Sequence, residues 1–120
     1  MNLTILVIDD ETSVRDMLST YLQHHGFSVM TAGTGEEAMQ QRQNQRFDLI
    51  TMDVELPDVN GLDLLAKIRS VDRDTPIIVA TGNNPTPVLI NTARRNGASG
   101  FASKTAPLPE LLAQVQSLIG

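Results

Sequence analysis

Short apolar segments alternate with amphipathic segments along the whole chain, and this alternation restricts the possible folds more than any other feature. The apolar segments have the length of β-strands and are rich in β-branched residues: Leu3–Ile8, Ser28–Thr31, Asp48–Met52, Ile77–Ala80 and Ser99–Ala102. Several are apolar at consecutive positions, which is typical of strands covered on both faces of a parallel sheet. The repeats therefore predict an α/β fold with helices on both faces of one parallel sheet, in a single domain spanning residues 1–120.

The segments between the strands have the period and the end signals of helices. Val14 and Leu18 begin a row of apolar residues at helical spacing, and Leu108–Ile119 repeats that spacing near the end of the chain. Residues 34–37 have the capping-box sequence Thr-x-x-Glu, and Thr86-Pro87 indicates an N-cap followed by the first residue of a helix. These signals predict a helix after each strand.

Two segments fit the helical pattern poorly. Gln40–Gln45 carries almost no apolar stripe, so the second helix has the weakest pattern of the five. Pro85 and Pro87 follow the loop Thr81-Gly82-Asn83-Asn84 closely, which predicts an unusual loop and a late or frayed start of the fourth helix.

The composition excludes several classes of function. With 9 basic and 14 acidic side chains the net charge is -5, and no basic stripe of the kind that binds nucleic acid is visible. The chain has no cysteine, which excludes disulfides, thiolate metal sites and cysteine nucleophiles. We expect no signal peptide and no membrane contact, because no apolar run approaches the roughly 20 residues that span a bilayer.

Polar side chains follow four of the five predicted strands at the point where each strand ends. They are Asp9 and Asp10 after the first strand, Asp53 after the third, Thr81 after the fourth, and Ser103 and Lys104 after the fifth. Because ligands of parallel α/β sheets bind at the carboxyl ends of the strands, we expect these side chains to gather at one edge. Three crowded carboxylates attract a cation, and all-oxygen ligands suit Mg²⁺, with Mn²⁺ as an alternative.

This set of residue types suits phosphoryl transfer to a carboxylate. An ionised Asp is already a nucleophile, so it can attack phosphorus and form an aspartyl phosphate without a general base. A metal ion, an ammonium group and a hydroxyl can stabilise the charge on the oxygens of the transferred group. The sequence therefore predicts a phosphoryl acceptor site at this edge of the sheet.

Four segments that cover most of this edge resemble bacterial response-regulator receiver domains of the chemotaxis-regulator type, which act in two-component signal transduction. They are Leu6–Glu11, Asp53–Gly61, Ala80–Gly82 and Gly97–Lys104. The resemblance extends over nearly the whole chain, and the combined motifs are far more specific than any one of them. It implies a flavodoxin-like, doubly wound (βα)5 fold with strand order 2-1-3-4-5.

The resemblance also implies a role for each acidic residue of the site. Asp53 corresponds to the phosphoacceptor and is itself a metal ligand. Asp10 corresponds to a direct ligand of Mg²⁺, and Asp9 acts largely through water. The backbone carbonyl of Glu55 is a further ligand.

Three more residues correspond to the machinery that senses the phosphoryl group. Lys104 pairs with Asp53 and later with the phosphoryl oxygens, and Thr81 moves to hydrogen-bond them. Phe101 occupies the place of the switch aromatic, whose rotamer follows that movement. The implied output surface is the face formed by the fourth helix, the fifth strand and the fifth helix.

The resemblance further implies the partners of such a chain. The donor is a histidine kinase or a phosphotransfer protein, and the reader is a downstream protein or an effector domain beyond this sequence. Such a protein is cytoplasmic, binds neither nucleic acid nor membrane through this domain, and catalyses only its own phosphorylation and dephosphorylation. A homodimer through the output surface is possible.

Other interpretations of the same residues remain open. Asp9 and Asp10 could merely cap the next helix, and Phe101 could be an ordinary core residue. The chain could be a receiver fold whose site is not used. Asp53-Val54-Glu55 also resembles the motif of haloacid-dehalogenase phosphatases, although that family has a second Asp where Glu55 stands and needs a larger chain.

Three positions depart from the common receiver pattern. Thr105 follows Lys104 where the family usually has a cis proline, so a trans peptide bond is predicted here. Glu55 places a charge near the phosphoryl position and is expected to alter autodephosphorylation. Gly82, where Ala is common, is expected to widen access to the acceptor.

Overall fold

The computed structural model describes residues 2–82 and 85–120 and contains five strands and five helices in strict alternation. In chain order they are β1 (Thr4–Ile8), α1 (Thr12–His24), β2 (Ser28–Ala32), α2 (Gly35–Asn44), β3 (Leu49–Asp53), α3 (Gly61–Arg69), β4 (Ile77–Thr81), α4 (Pro87–Arg95), β5 (Gly100–Ser103) and α5 (Leu108–Ile119). Each predicted strand agrees to within one residue at either end. The small shift makes Asp53, Thr81 and Ser103 the last residues of their strands.

The strands form one parallel sheet in the order β2-β1-β3-β4-β5, which confirms the predicted topology. The register aligns the carboxyl ends of neighbouring strands. Ile8 lies opposite Met52, Asp53 opposite Ala80, and Thr81 opposite Ser103. The residues that end β1, β3, β4 and β5 therefore meet at one level on the same edge.

The core consists of two apolar layers, one on each face of the sheet. One layer packs β-strand residues such as Ile5 and Val7 against Leu18 and Leu22 of α1 and the apolar side of α5. The other layer packs the opposite strand faces against α2, α3 and α4. Both faces are covered, which explains why the strand sequences are apolar at consecutive positions. Within residues 2–82 and 85–120, no helix combines the length and the hydrophobicity needed to cross a membrane.

The entrance of α4 is more regular than its prolines predict. Pro87 is the first helical residue, and the Thr86 hydroxyl accepts a hydrogen bond from the Leu89 amide at 3.2 Å. The expected late or frayed start is therefore wrong, because proline is well accommodated at the first helical position, where its missing N–H has no partner to lose. The loop residues Asn83 and Asn84, which we expect to be unusual, lie outside the described residues.

Candidate functional site

Three carboxylates meet at the carboxyl-terminal edge of the sheet. Each of Asp9, Asp10 and Asp53 offers an oxygen, and these oxygens all lie within 4.8 Å of one another. Asp9 is 3% exposed and Asp53 is 4% exposed, whereas Asp10 faces solvent. The alternative that the first two carboxylates cap α1 is not supported, since Glu11 is the N-cap and the helix has no side-chain cap. Instead, Asp9 Oδ1 accepts a hydrogen bond from the Glu11 amide at 2.9 Å.

Lys104 supplies the positive charge of the site. Its amide donates to the Thr81 carbonyl at 2.7 Å, which holds the residue against the end of β4. Its Nζ lies 2.9 Å from Asp9 Oδ2, 3.0 Å from Asp53 Oδ2 and 3.2 Å from Glu11 Oε1, and the side chain is 10% exposed. The peptide bond to the next residue is trans, as predicted.

The carboxylates of the site outnumber its single ammonium group. Burial raises the pKa of Asp9, and the nearby Asp53 raises it further, against the hydrogen bond from Lys104, which lowers it. Burial alone would lower the pKa of Lys104, but its hydrogen bonds to Asp9 and Asp53 raise it well above the usual range. One ammonium group thus serves three carboxylates, and a divalent cation would complete the neutralisation.

The donor set of the site suits such a cation. Carboxylate oxygens grouped within 4.8 Å and without sulfur or imidazole are the ligands that Mg²⁺ prefers. Asp10 and Asp53 open onto a depression of about 350 Å³. Its lining includes Asp10, Glu11, Asp53, Glu55, Thr81, Gly82 and Lys104. The predicted residues of the site, with one exception, are therefore brought together by the fold.

Asp9 belongs to the carboxylate cluster without lining the depression, whereas Phe101 is the exception because it belongs to neither. It lies on β5, opposite Val79, and packs against the apolar layer beneath α4. The guanidinium carbon of Arg94 lies 5.5 Å from the centre of its ring, and the Gln114 side chain donates to its carbonyl at 2.5 Å. The ring therefore lies beside α4 and outside the depression that the carboxylates line.

Sequence reasoning missed two residues of the site. Glu11 is a third partner of Lys104, although its position directly after Asp10 was a signal that it could reach the same edge. Gly61 is predicted only as the last residue of a segment that resembles the family, yet its amide donates to the Val54 carbonyl at 2.7 Å and closes the loop that follows Asp53.

Gly61→Ala is expected to distort the site through the backbone. A Cβ at this position would overlap the carbonyl oxygen of Asp53 and lie 2.7 Å from Cα of Val54. Since neither backbone atom can move away cheaply, we expect the free energy of unfolding to fall by about 3 kcal/mol. Thermal or urea unfolding measures this change. Gly82→Ala is the matched control, because a Cβ there meets nothing within 4 Å, and equal losses in the two variants would contradict the prediction.

Comparisons with known proteins agree with this geometry. A model of the response regulator receiver domain family matches residues 5–116. The probable transcriptional regulatory protein TcrX of Mycobacterium tuberculosis is 32% identical over 116 residues, which are 97% of this chain and 49% of that protein. The structure of the chemotaxis protein CheY4 of Vibrio cholerae superposes with a TM-score of 0.92 and 32% identity, covering 98% of this chain and 99% of that one.

A third relative was solved with ligands in place. The response regulator TrrA of Thermotoga maritima, in complex with Mg²⁺-BeF, superposes with a TM-score of 0.87 and 31% identity over 97% of this chain and 98% of that one. Phosphorylation and Mg²⁺ binding are general features of the family. The chain spans about half the length of TcrX. The family match, the sheet order and the acidic cluster together show that this chain belongs to the response regulator receiver domains of two-component systems.

Proposed function

We propose that Asp53 accepts a phosphoryl group from a histidine kinase or a phosphotransfer protein in a Mg²⁺-dependent reaction. The observation that carries this proposal is the position of Asp53. It is a buried carboxylate at the end of β3, with the Lys104 ammonium 3.0 Å away and two further carboxylates beside it. Burial beside other carboxylates and an ammonium group makes Asp53 a candidate for a functional residue.

Three groups of the chain would hold the cation together with Asp53. Asp10 is the exposed carboxylate of the cluster and would bind Mg²⁺ directly, while Asp9 would act largely through water. The backbone carbonyl of Glu55 would be a further ligand. When bound, the cation neutralises charge on the phosphoryl oxygens. Mn²⁺, with similar preferences for oxygen, would substitute for it.

The chemical step is an exchange of one bond to phosphorus for another. An oxygen of Asp53 attacks the phosphorus of a phosphohistidine, the P–N bond breaks, and the histidine nitrogen leaves with the electron pair and takes up a proton. The product is an acyl phosphate on Asp53. Lys104 and the Thr81 hydroxyl would hydrogen-bond the phosphoryl oxygens. Attack by water later returns the carboxylate and inorganic phosphate, so the chain acts only on itself and is a signalling module.

The signal would leave through α4, β5 and α5. Thr81 would move toward the phosphoryl group, and Phe101 would follow into the space behind it, which changes the surface beside α4. The reader would be a downstream protein, a second copy of this chain, or an effector domain joined to it. In this proposal residues 1–120 form one receiver domain, which works in the cytoplasm and contacts neither nucleic acid nor membrane.

A small phosphodonor tests the proposal without a kinase. The protein is incubated with Mg²⁺ and acetyl phosphate and analysed by mass spectrometry for a mass increase of one phosphoryl group, stable in mild acid and labile in base. An adduct that maps to the peptide containing Asp53 supports the proposal. Absence of any adduct would indicate a receiver fold whose site is not used. Rapid turnover of many phosphate esters would instead indicate a hydrolase of the haloacid-dehalogenase kind.

The lifetime of this adduct is expected to depend on Glu55. Its side chain is exposed, it lines the same depression as Asp53, and its amide donates to Asp53 Oδ1 at 3.2 Å. In this proposal its carboxylate would repel or misplace the attacking water. In Glu55→Asn the phosphoryl half-life should shorten by about two- to fivefold, because an exposed charge contributes about 0.2–1 kcal/mol. Glu55→Gln, which keeps the side-chain length, separates charge from shape. Equal half-lives in the parent and Glu55→Asn would contradict the prediction.

A further inference from the structure

Asp58 ties the loop after Asp53 to the start of α2, although the two segments are far apart in sequence. Asp58 Oδ1 accepts a hydrogen bond from the Gly35 amide at 2.8 Å, and Oδ2 accepts one from the Glu36 amide at 3.0 Å. These amides belong to the first turn of α2, where N–H groups have no partner within the helix. The Thr34 hydroxyl accepts from Glu37, so Asp58 completes the set of acceptors at this helix end.

Packing beneath the carboxylate fixes the same contact. A Cβ on Gly35 would overlap the Cγ1 methyl of Val59, so only glycine at this position lets the loop approach α2 closely. The hydrogen bonds from Gly35 and Glu36 lower the pKa of Asp58, because they stabilise its charged form. Amides at a helix N-terminus also favour a negative charge electrostatically.

The loop held in this way carries the carbonyl of Glu55. Its base is closed by the Gly61 amide and by a backbone bridge between Glu55 and Asn60. Its tip has no strand or helix of its own and is held by Asp58 and Val59 against α2. The loop is therefore fixed at both its base and its tip, and the position of the Glu55 carbonyl depends on both.

We infer that Asp58 is a positioning residue for the cation site, acting through the loop that presents the Glu55 carbonyl to Mg²⁺. This inference rests on the proposed function for the identity of the cation and for the ligand role of Glu55. Groups that hold a metal ligand in place commonly change metal affinity by 10- to 100-fold when removed. Since Glu55 would be one ligand among several, we expect a loss at the lower end of that range.

Two substitutions at Asp58 distinguish the effect of its hydrogen bonds on the loop from the effect of its negative charge on the cation. Asp58→Ala removes both acceptors, whereas Asp58→Asn removes the charge and keeps one acceptor oxygen. Asp63→Asn is the charge control, since Asp63 is an exposed acid in the first turn of the neighbouring helix α3. The dissociation constant of Mg²⁺ is measured on each unphosphorylated protein by titration of its amide NMR spectrum. Thermal unfolding without Mg²⁺ is measured in parallel.

We expect Asp58→Ala to weaken Mg²⁺ binding roughly tenfold and Asp58→Asn to fall between it and the parent. Asp63→Asn should bind as the parent does. Equal weakening in all three variants would show a charge effect and overturn the inference, as would lowered melting temperatures with unchanged Mg²⁺ affinity. If Asp58→Ala does not fold, the Mg²⁺ dissociation constants of Asp58→Asn and Asp63→Asn are compared instead, and equal values would overturn the inference. A parent that binds Mg²⁺ but forms no adduct would contradict the proposed function alone.

Discussion

Asp53→Asn is expected to abolish the phosphoryl adduct while leaving the fold intact. The amide oxygen of Asn is a very weak nucleophile toward phosphorus, so the adduct formed with acetyl phosphate and Mg²⁺ should fall to background. The substitution keeps an acceptor for the Glu55 amide, and Lys104 keeps its contacts with Asp9 and Glu11. Intact-mass spectra of parent and variant, taken under identical conditions, measure the change.

The melting temperature of Asp53→Asn provides a second, independent test of the role of Asp53. Asp53 raises the pKa of Asp9 by repulsion, so removing its charge relieves that repulsion. We therefore expect Asp53→Asn to melt at the same temperature as the parent or higher, as is common when a functional site holds unfavourable charge. Asp16→Asn, an exposed acid on α1, is the matched control for both measurements. An adduct that persists in Asp53→Asn on another residue would move the acceptor elsewhere.

Much of the fold and several residues of the site could be predicted, because the apolar runs and the polar residues that follow them are local features of the sequence. An apolar run ends where the strand leaves the core, so a polar residue directly after it lies at the carboxyl-terminal edge of the sheet. Asp9, Asp53 and Thr81 were located by this rule alone, and the parallel order then brings them together. The family resemblance added the roles of these residues, which remain predictions until the adduct is mapped.

The features that the sequence did not predict depend on contacts between segments that are far apart in the chain. Glu11 and Lys104 are separated by 93 positions, and no local pattern shows that their side chains meet. The contact of Asp58 with the start of α2 spans 23 positions and depends on how the loop folds over Gly35. Helix α2 has little apolar stripe, and among its side chains only Ala38 is fully buried, which explains why its pattern along the sequence is the weakest of the five.

Lys104→Met is expected to change Mg²⁺ binding and phosphorylation in opposite directions. The ammonium is the only positive charge among the residues that line the described part of the site, and Met fills a similar volume without it. Without Lys104 the carboxylates attract a cation more strongly, so Mg²⁺ should bind about tenfold tighter, the equivalent of one pKa unit. Adduct formation should nevertheless slow by roughly 100- to 1,000-fold, the usual effect of removing one group that stabilises a transition state.

The pH dependence of the free energy of unfolding tests the same effect of Lys104 on the carboxylates. In the parent, the raised pKa of Lys104 contributes stability that is present below its ordinary value of 10.5 and is lost only above it. In Lys104→Met, the already raised pKa of Asp9 should rise further, so the folded state binds a proton more tightly than the unfolded state. The stability of the variant should therefore increase as the pH falls from neutral toward 5, and more than that of the parent.

Lys67→Met separates this local effect from a change in net charge. Lys67 is the other lysine of the chain and lies exposed in the last turn of α3, so the substitution removes the same charge away from the carboxylates. It should leave Mg²⁺ affinity, adduct formation and the pH profile near those of the parent. If Lys104→Met bound Mg²⁺ more weakly, the ammonium would be arranging the carboxylates rather than competing with the cation for them. Tighter Mg²⁺ binding together with slower adduct formation is expected if Lys104 neutralises the carboxylates before phosphorylation and stabilises the phosphoryl group during it.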